Sequence, residues 1–253
     1  MRPHRSLTLG ARLVKLCAPL LLSASAAHAH QVWLEPNANG TSLYFGEFGD
    51  NLHEVSPGYL DKLTKLDASL TKASGSKVVE SKKEKDHVAI SGRAAAKGES
   101  VVVADVAYPL LESTEGDEKT RTAWTPAARY VAELGPHTPK LALDVVPTND
   151  SGDFQVSYRG APLAKAEVSL VAASGWSLTG RTDDAGKVSF RLPWKGTYAL
   201  LVRHKDPKPG KRKNAQGVEE SFDGESFATT LTFTTRSGLP SPPPPPAAPP
   251  NKP

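Results

Sequence analysis

The chain has 253 residues, of which 38% are hydrophobic and 23% are charged, a balance typical of a globular protein. It carries a formal net charge of +4 and a single cysteine, Cys17. One cysteine excludes an internal disulfide framework and a multi-cysteine metal centre.

The first segment predicts export. Four basic residues and no acidic residue lie between Met1 and Lys15, and an apolar run follows from Leu16 to Ala24. The run is shorter than the roughly 20 residues that cross a bilayer, so we expect no membrane span. Residues 1–29 are therefore predicted to be a signal peptide, with Cys17 as part of its apolar core, and the mature chain is expected in the periplasm.

Removal of this segment changes the charge balance. It holds four of the 31 basic residues, which leaves 27 basic and 27 acidic residues in the mature chain. The pI of about 9.0 for the whole sequence therefore does not indicate a basic protein. No stripe of Arg and Lys with interleaved aromatic residues is present either, so we expect no nucleic-acid partner.

Histidines stand at the predicted cleavage site, in the stretch SASAAHAHQVWLEP (23–36). Ala27 and Ala29 suit a cut before His30, and an alternative cut would expose His28. The first cut leaves an α-amine and an imidazole on one residue, and the second an amine with a histidine at the third position. Nitrogen donors of either kind suit Cu(II) or Ni(II).

A bland interpretation of the same stretch is that it satisfies the peptidase and then frays. The alternation around Trp33, with Val32 and Leu34 on the other face, favours a strand that begins at once. A terminus fixed in this way would be a better metal ligand.

The first half of the mature chain is predicted to be mostly β. Its strand candidates are TSLYFGEF, KLTKLDASLTKA, SKVVES, DHVAISG and ESVVVADVAY. The charged stretch 82–86 indicates a solvated hairpin end. Residues 125–134 fit either a short helix with Thr125 as its N-cap or an extended segment.

The second half has the clearer pattern. Residues 153–204 contain four alternating stretches joined by turns rich in Gly, Pro and Asp, and residues 226–235 suit a closing strand. Short strands without a helical period indicate an antiparallel β-sandwich. Asp183 and Asp184 precede Gly186 as turn residues, and adjacent carboxylates are poor candidates for an acid–base pair.

The chain ends in SGLPSPPPPPAAPPNKP (237–253), which has nine prolines and predicts a disordered polyproline II tail. We therefore expect an all-β protein with two consecutive β-sandwich-type domains, the second immunoglobulin-like or prealbumin-like. The predicted organisation is a signal peptide at 1–29, an N-terminal β domain at 30–145, a C-terminal antiparallel sandwich at 146–236 and the tail at 237–253.

Four stretches together resemble a known family: HQVWLEP, LYFGEFGDNLHEVSPGYLDKL, LALDVVPTN and YRGAPLAKAEVSL with RTDDAGKVSFRLPWKGTYALLVRH. In this order they are similar to domain-of-unknown-function family 4198, bacterial periplasmic proteins associated with nickel or cobalt uptake. The last stretch alone resembles many transthyretin-like and carboxypeptidase-regulatory sandwiches. The resemblance implies a periplasmic all-β protein with a metal-related role.

Among the other histidines, His204 is the second candidate metal ligand, because it ends an apolar strand face. His53, His87 and His137 are predicted to be solvated. Glu47 shares a strand face with apolar residues, as an edge carboxylate or in a salt bridge. The predicted metal site therefore consists of His30 and His204.

Enzymatic signatures are absent from the sequence: it has no Gly-x-Ser-x-Gly, His-Glu-x-x-His, phosphate-loop or dinucleotide motif. Trp176 and Trp194 could line a groove, although hairpin packing is the commoner role. We expect a non-enzymatic metal-binding or metal-uptake accessory protein for nickel or cobalt, with copper possible, that partners an envelope transporter component. The alternatives are a β-sandwich interaction module whose tail acts as spacer or ligand and a copper oxygenase with a histidine brace.

Overall fold

The computed structural model describes residues 30–252, so the predicted signal peptide, Cys17 and His28 lie outside the described residues. The strands of the first half are β1 (Gln31–Asn37), β2 (Gly40–Glu47), β3 (Leu52–His53), β4 (Leu66–Lys72), β5 (Gly75–Val78), β6 (Ser81–Lys83), β7 (Val88–Ile90), β8 (Glu99–Asp105), β9 (Leu111–Glu115) and β10 (Glu118–Val131). Those that follow are β11 (Leu143–Pro147), β12 (Asp153–Tyr158), β13 (Ala161–Pro162), β14 (Glu167–Ala172), β15 (Ser177–Arg181), β16 (Lys187–Ser189), β17 (Trp194–Asp206), β18 (Gly210–Lys213), β19 (Glu219–Phe222), β20 (Gly224–Thr235) and β21 (Leu239–Pro240).

The only helical segments between residues 30 and 252 are two short 3-10 turns, Phe48–Asp50 and Tyr59–Lys62. None of the helical segments in this range is long and apolar enough to cross a membrane. The predicted all-β, sandwich-type fold is confirmed.

A ten-stranded sheet forms the middle of the molecule, with the order β15-β14-β17-β20-β10-β8-β4-β5, and with β9 and β21 attached to β10 and β17. Its central joint is the parallel pairing of β10 with β20, from Thr122 opposite Gly224 to Tyr130 opposite Thr232. The other long-strand pairings next to this joint, β10 with β8 and β17 with β20, are antiparallel.

Two smaller sheets cover opposite faces of the central sheet. The sheet β1-β2-β7-β6, with β3 at its side, packs on one face, and the sheet β11-β12-β13, with β16, packs on the other. The first core, which includes Val32, Leu43 and Phe45, lies under the sheet of β1 and β2, and the second core, which includes Val145, Phe154 and Leu200, lies under the sheet of β11 and β12. Alternation along β20 shows this arrangement, because Ala228 lies in the first core whereas Leu231 and Phe233 lie in the second.

Threonines on β20 tie both outer sheets to the centre. The hydroxyl of Thr230 donates to the carbonyl of Val32 on β1 at 2.7 Å, and that of Thr229 donates to the carbonyl of Leu143 on β11 at 2.8 Å. Both threonines are buried. The predicted closing strand at 226–235 is thus the strand that contacts every layer.

Residues on both sides of the predicted domain boundary at 145/146 share the central sheet. Strands β4, β5, β8, β9 and β10 come from before it, and β14, β15, β17 and β20 from after it. The division into two domains stays a prediction, but these strands form one continuous hydrogen-bonded sheet.

The segment 125–134, for which a helix and an extended segment were both open, is extended through Val131 as part of β10. Its side chains are buried on both faces with a period of two: Ala128 and Tyr130 lie in the first core and Val131 in the second. Burial on two opposite faces suits a central strand, and this tertiary packing overrides the helix-start pattern.

The Pro-rich segment 237–252, for which the composition predicts a disordered tail, contacts the folded body. Leu239 donates its backbone N–H to the carbonyl of Pro193 at 2.8 Å, and β21 pairs in parallel with Trp194–Lys195. Further along, Ala248 pairs with Leu52. The segment 237–252 therefore runs along the folded body and contacts it at several points, which composition alone could not indicate.

Candidate metal site

His30 lies immediately before β1, on the edge of the first core. In the antiparallel pairing of β1 with β2, Gln31 lies opposite Gly46, and the same register places His30 opposite Glu47. Alternation along β1 puts His30 on the face of Val32 and Leu34, which are buried in the first core. The strand predicted to follow the cleavage site at once is confirmed, and the His30 side chain is 9% exposed.

The imidazole of His30 is held on its Nε2 side by a buried carboxylate. Nε2 lies 2.5 Å from Oε1 of Glu54, a residue that is 0% exposed. The ring also packs against Phe45 and Tyr59, with centroids 5.2 and 5.8 Å away. Because a carboxylate accepts, the contact assigns the proton of the neutral ring to Nε2.

The opposite ring nitrogen, Nδ1, is buried and has no hydrogen-bond partner. Its nearest carboxylate oxygen among the ion pairs of the described residues is Oε1 of Glu47, 3.8 Å away, which is too far for a hydrogen bond. With the proton on Nε2, Nδ1 carries a lone pair that points at no donor. A buried nitrogen left in this state is uncommon and asks for an explanation.

Glu47 itself lies in a crowded electrostatic setting. Burial raises its pKa above the ordinary glutamate value, and a hydrogen bond with Asp50 and the charge of that residue raise it further. The charges of His30 and Arg203 act in the opposite direction and lower it. Burial in turn lowers the pKa of Arg203, which the charge of Glu47 partly restores. A further positive charge beside Glu47 would therefore stabilise its ionised carboxylate.

Asn251, near the end of the Pro-rich segment, forms another wall of the site. Its Nδ2 donates to Oε1 of Glu54 at 2.7 Å and lies 3.3 Å from Nε2 of His30. Nε2 cannot both donate to Glu54 and accept from Asn251, and the shorter contact to Glu54 decides the assignment. Sequence reasoning missed both Glu54 and Asn251, although Asn251 is the one amide side chain within the proline run.

The other predicted ligand, His204, lies on a different face of the central sheet. Its ring packs on Tyr158 with centroids 4.4 Å apart, on the side of β17 that Leu200 and Val202 share in the second core. The adjacent Arg203 interacts with Glu47 from the opposite side. The structure therefore does not bring His204 to His30, and a two-histidine brace is not assembled from this pair.

The remaining histidines have partners of their own. His53 packs edge-on against Trp33 and Tyr44, and burial lowers its pKa. Nδ1 of His87 contacts Asp86 at 2.8 Å. Burial, and then the charge of Arg129, lower the pKa of His137. His53, His87 and His137 are all half-buried, which differs from the solvated positions expected for them.

The features proposed as turns and packing residues behave as expected. Oδ1 of Asp183 accepts from the backbone N–H groups of Ala185 and Lys187 at 2.9 and 2.8 Å, which makes it a turn residue. Trp176 and Trp194 pack edge-to-face against each other, with ring centroids 6.1 Å apart, and both lie against the second core.

Across residues 30–252, no group of three or more His, Cys, Asp or Glu side chains is arranged to hold a metal ion. His30 and Glu47 offer two side-chain donors that converge, Nδ1 and Oε1. The α-amine of His30 would be a third donor if export frees it.

No protein-family model matches the chain, and no curated protein sequence matches it. The resemblance to family 4198 therefore stays a prediction.

Proposed function

We propose that the protein is a periplasmic metal-binding or metal-uptake accessory protein whose cargo is a divalent transition metal, nickel or cobalt, with copper as a further candidate. The observation that carries this proposal is the unpartnered, buried Nδ1 of His30 beside Glu47. The resemblance to nickel- and cobalt-associated proteins supports it independently.

The surroundings of His30 match those of metal-ligating histidines. Such a residue nearly always donates its second ring N–H to a carboxylate, a carbonyl or water, which fixes the tautomer and raises the basicity of the ligating nitrogen. Glu54 accepts from Nε2 in this way and is fully buried. The ring therefore presents Nδ1 as a ready electron-pair donor.

Nδ1 is also the ring nitrogen that can chelate together with the α-amine of its own residue. If the predicted signal peptide is removed before His30, amine and Nδ1 close a chelate ring around one ion. The separation of 3.8 Å between Nδ1 and Oε1 of Glu47 is shorter than twice a bond of about 2.0–2.2 Å to a divalent ion such as zinc. One ion can therefore contact both atoms.

The donor set favours particular metals. Two nitrogens and a carboxylate oxygen suit nickel, cobalt and copper, and affinity within such a site rises from cobalt through nickel to copper. The predicted mature chain contains no cysteine, so no soft thiolate competes. Delivery to an envelope transporter component remains part of the proposal through the resemblance alone.

The proposal is tested by calorimetric titration of Ni²⁺ into four forms of the protein. The chain beginning at His30 is expected to bind one ion, whereas a chain with one glycine added before His30 lacks the chelating amine and binds far more weakly. Glu47→Gln is expected to weaken binding as well. His204→Ala is the matched control and is expected to bind like the wild type. Equal affinities for the extended and the unextended chain would contradict the proposal.

The alternative interaction module, with the Pro-rich segment as a free ligand for another protein, has less support. In the segment 237–252 the backbone N–H groups of Leu239, Ala248 and Asn251 already donate to the body of the protein. A segment docked at these points is a poor spacer or free ligand.

A further inference from the structure

The Pro-rich segment 237–252 ends at the His30–Glu54 pair. Asn251 approaches the Glu54 carboxylate with two donors: Nδ2 lies 2.7 Å from Oε1, and the backbone N lies 3.2 Å from Oε2. The two residues are 197 positions apart in the sequence. The end of the described chain therefore completes a site that begins at its first residue.

The approach of Asn251 is guided by anchors earlier in the segment. The side chain of Asn51 donates through Nδ2 to the carbonyl of Pro245 at 3.0 Å, and the backbone carbonyl of Asn51 accepts from Ala248 N at 3.1 Å. Proline restricts the freedom of the undocked segment, so docking it costs less conformational entropy than docking a flexible chain. The few residues of the segment that can donate a backbone N–H include the three that are bonded to the body.

Asn251 matters because the Glu54 carboxylate is fully buried. A buried carboxylate is costly unless its oxygens are hydrogen-bonded. Its side-chain hydrogen bonds come from Nε2 of His30 and from the two donors of Asn251. Without Asn251 the imidazole would be the only side-chain donor to the Glu54 carboxylate. The carboxylate would then have to turn toward other donors. A Glu54 carboxylate that turns away from Nε2 leaves the Nε2–H tautomer of His30 without its acceptor.

We propose that the segment 237–252 is an intramolecular clamp and that Asn251 is a positioning residue, which fixes Glu54 as the acceptor for Nε2–H and so keeps Nδ1 of His30 available to a metal ion. The metal part of this inference rests on the proposed function. Coupling between two binding events is reciprocal, so a bound metal ion also stabilises the docked segment. Docking of the segment 237–252 then depends on whether a metal ion is bound.

The clamp is tested in the chain that begins at His30 by comparing Asn251→Ala, Asn251→Asp and Lys252→Ala. Lys252 is exposed and serves as the neighbouring control. We expect Asn251→Ala to weaken Ni²⁺ binding about tenfold, the effect typical of a lost partner behind a metal ligand. Asn251→Asp places a carboxylate against Glu54 in place of an N–H donor. We expect it to weaken Ni²⁺ binding more than Asn251→Ala does. The thermal unfolding midpoint is expected to fall in both Asn251 variants, because the buried Glu54 carboxylate loses donors, and to stay at the wild-type value in Lys252→Ala.

A second measurement needs no metal. Long-range ¹⁵N–¹H correlation spectra of the histidine rings report which nitrogen carries the proton. We expect the Nε2–H tautomer for His30 in the wild type and in Lys252→Ala, and a loss of that preference in Asn251→Ala.

The two measurements separate the clamp from the metal function. Unchanged Ni²⁺ affinity together with an unchanged His30 tautomer in Asn251→Ala would overturn the clamp while leaving the metal site intact. A changed tautomer in a protein that binds no Ni²⁺ would uphold the positioning role of Asn251 and overturn the metal function instead.

Discussion

Residues 30–252 contain two fully or nearly fully buried acid–base pairs, and the two differ in how completely their polar atoms are hydrogen-bonded. Arg129 on β10 and Asp144 on β11 are both 0% exposed and bonded twice, Nε to Oδ1 at 3.0 Å and Nη2 to Oδ2 at 2.6 Å. His30 and Glu54 are bonded once, at 2.5 Å, and leave Nδ1 of the histidine without a partner. A pair whose polar atoms are hydrogen-bonded within the protein stabilises the fold but offers no free atom to a ligand. A pair with one unpartnered nitrogen keeps an atom that can bind a ligand.

The neighbours of the first pair reinforce this contrast. Nη1 of Arg129 donates to the Ser100 hydroxyl at 2.5 Å, and the backbone N–H groups of Lys140 and Leu141 donate to Asp144 at 2.7 and 3.0 Å. The pair joins the central sheet to an outer sheet with its charges satisfied. We therefore assign the Arg129 pair to stability, whereas the proposed metal site rests on the His30 pair.

The largest effect on stability is expected from breaking the complete pair. Arg129→Met leaves the Asp144 carboxylate buried without its cation, which typically costs about 3–5 kcal/mol. Urea unfolding should show a loss of this size. Ni²⁺ affinity of the fraction that remains folded should equal that of the wild type, and a parallel loss of affinity would mean that the two pairs are not independent.

The next effect comes from Glu54→Gln, which keeps the shape of the side chain but adds an amide donor. The amide can donate to Nε2 of His30, which then moves the ring proton to Nδ1 and blocks the ligating nitrogen. Ni²⁺ affinity should fall about 10–100-fold, and stability by about 1–3 kcal/mol. Glu35→Gln, a change at a partly exposed glutamate on β1, is the control. Wild-type affinity in Glu54→Gln would show that the tautomer is not controlled by Glu54.

A smaller effect is expected from Glu47→Gln, with opposite signs for the two properties. The pKa of Glu47 is raised in the folded protein, chiefly by burial, so its protonated form favours folding, and that stability is lost as pH rises through the raised value. At neutral pH the substitution should therefore stabilise the protein by less than about 1 kcal/mol while Ni²⁺ binding weakens.

The wild type should also lose Ni²⁺ as pH falls, because a protonated Glu47 cannot ligate. In Glu47→Gln the part of this pH dependence that comes from the carboxylate should disappear. A pH profile identical to that of the wild type would exclude Glu47 as a donor.

The smallest effect on Ni²⁺ affinity is expected at His204. Its ring packs on Tyr158 at the second core. Arg203, which interacts with Glu47, lies on the opposite side of β17. His204→Ala should lower stability by about 1 kcal/mol through lost packing and leave Ni²⁺ affinity unchanged. A weaker affinity would return His204 to the site and restore the two-histidine prediction.

The sequence predicted the strands well where they alternate, and less well what lies across the sheet from them. The stretch 226–235 was recognised as a strand because Phe227, Leu231 and Phe233 share one face. Its parallel pairing with β10 could not be predicted, since pairing between strands about 100 residues apart leaves no local pattern. The same pairing connects the two predicted domains.

The sequence indicated only part of the candidate site. His30 stood out through its place at a predicted cleavage site. Glu54 and Asn251 did not, because only the turn after β3 and the docked Pro-rich segment bring them to the imidazole. His204 was predicted from its strand end, and the alternation of β17 then directs it to the other core. Local patterns thus identify which residues lie on one face, whereas the choice among layers depends on contacts distant in sequence.

The central claim is that Nδ1 of His30 is the ligand nitrogen, and its most direct test is a long-range ¹⁵N–¹H correlation spectrum of the chain beginning at His30, recorded before and after one equivalent of Ni²⁺. The account predicts an Nε2–H tautomer for His30 before addition, followed by loss or a large shift of the His30 Nδ1 signal while the His204 signals stay in place. An Nδ1–H tautomer at the start, or a response at His204 that precedes the one at His30, would contradict it.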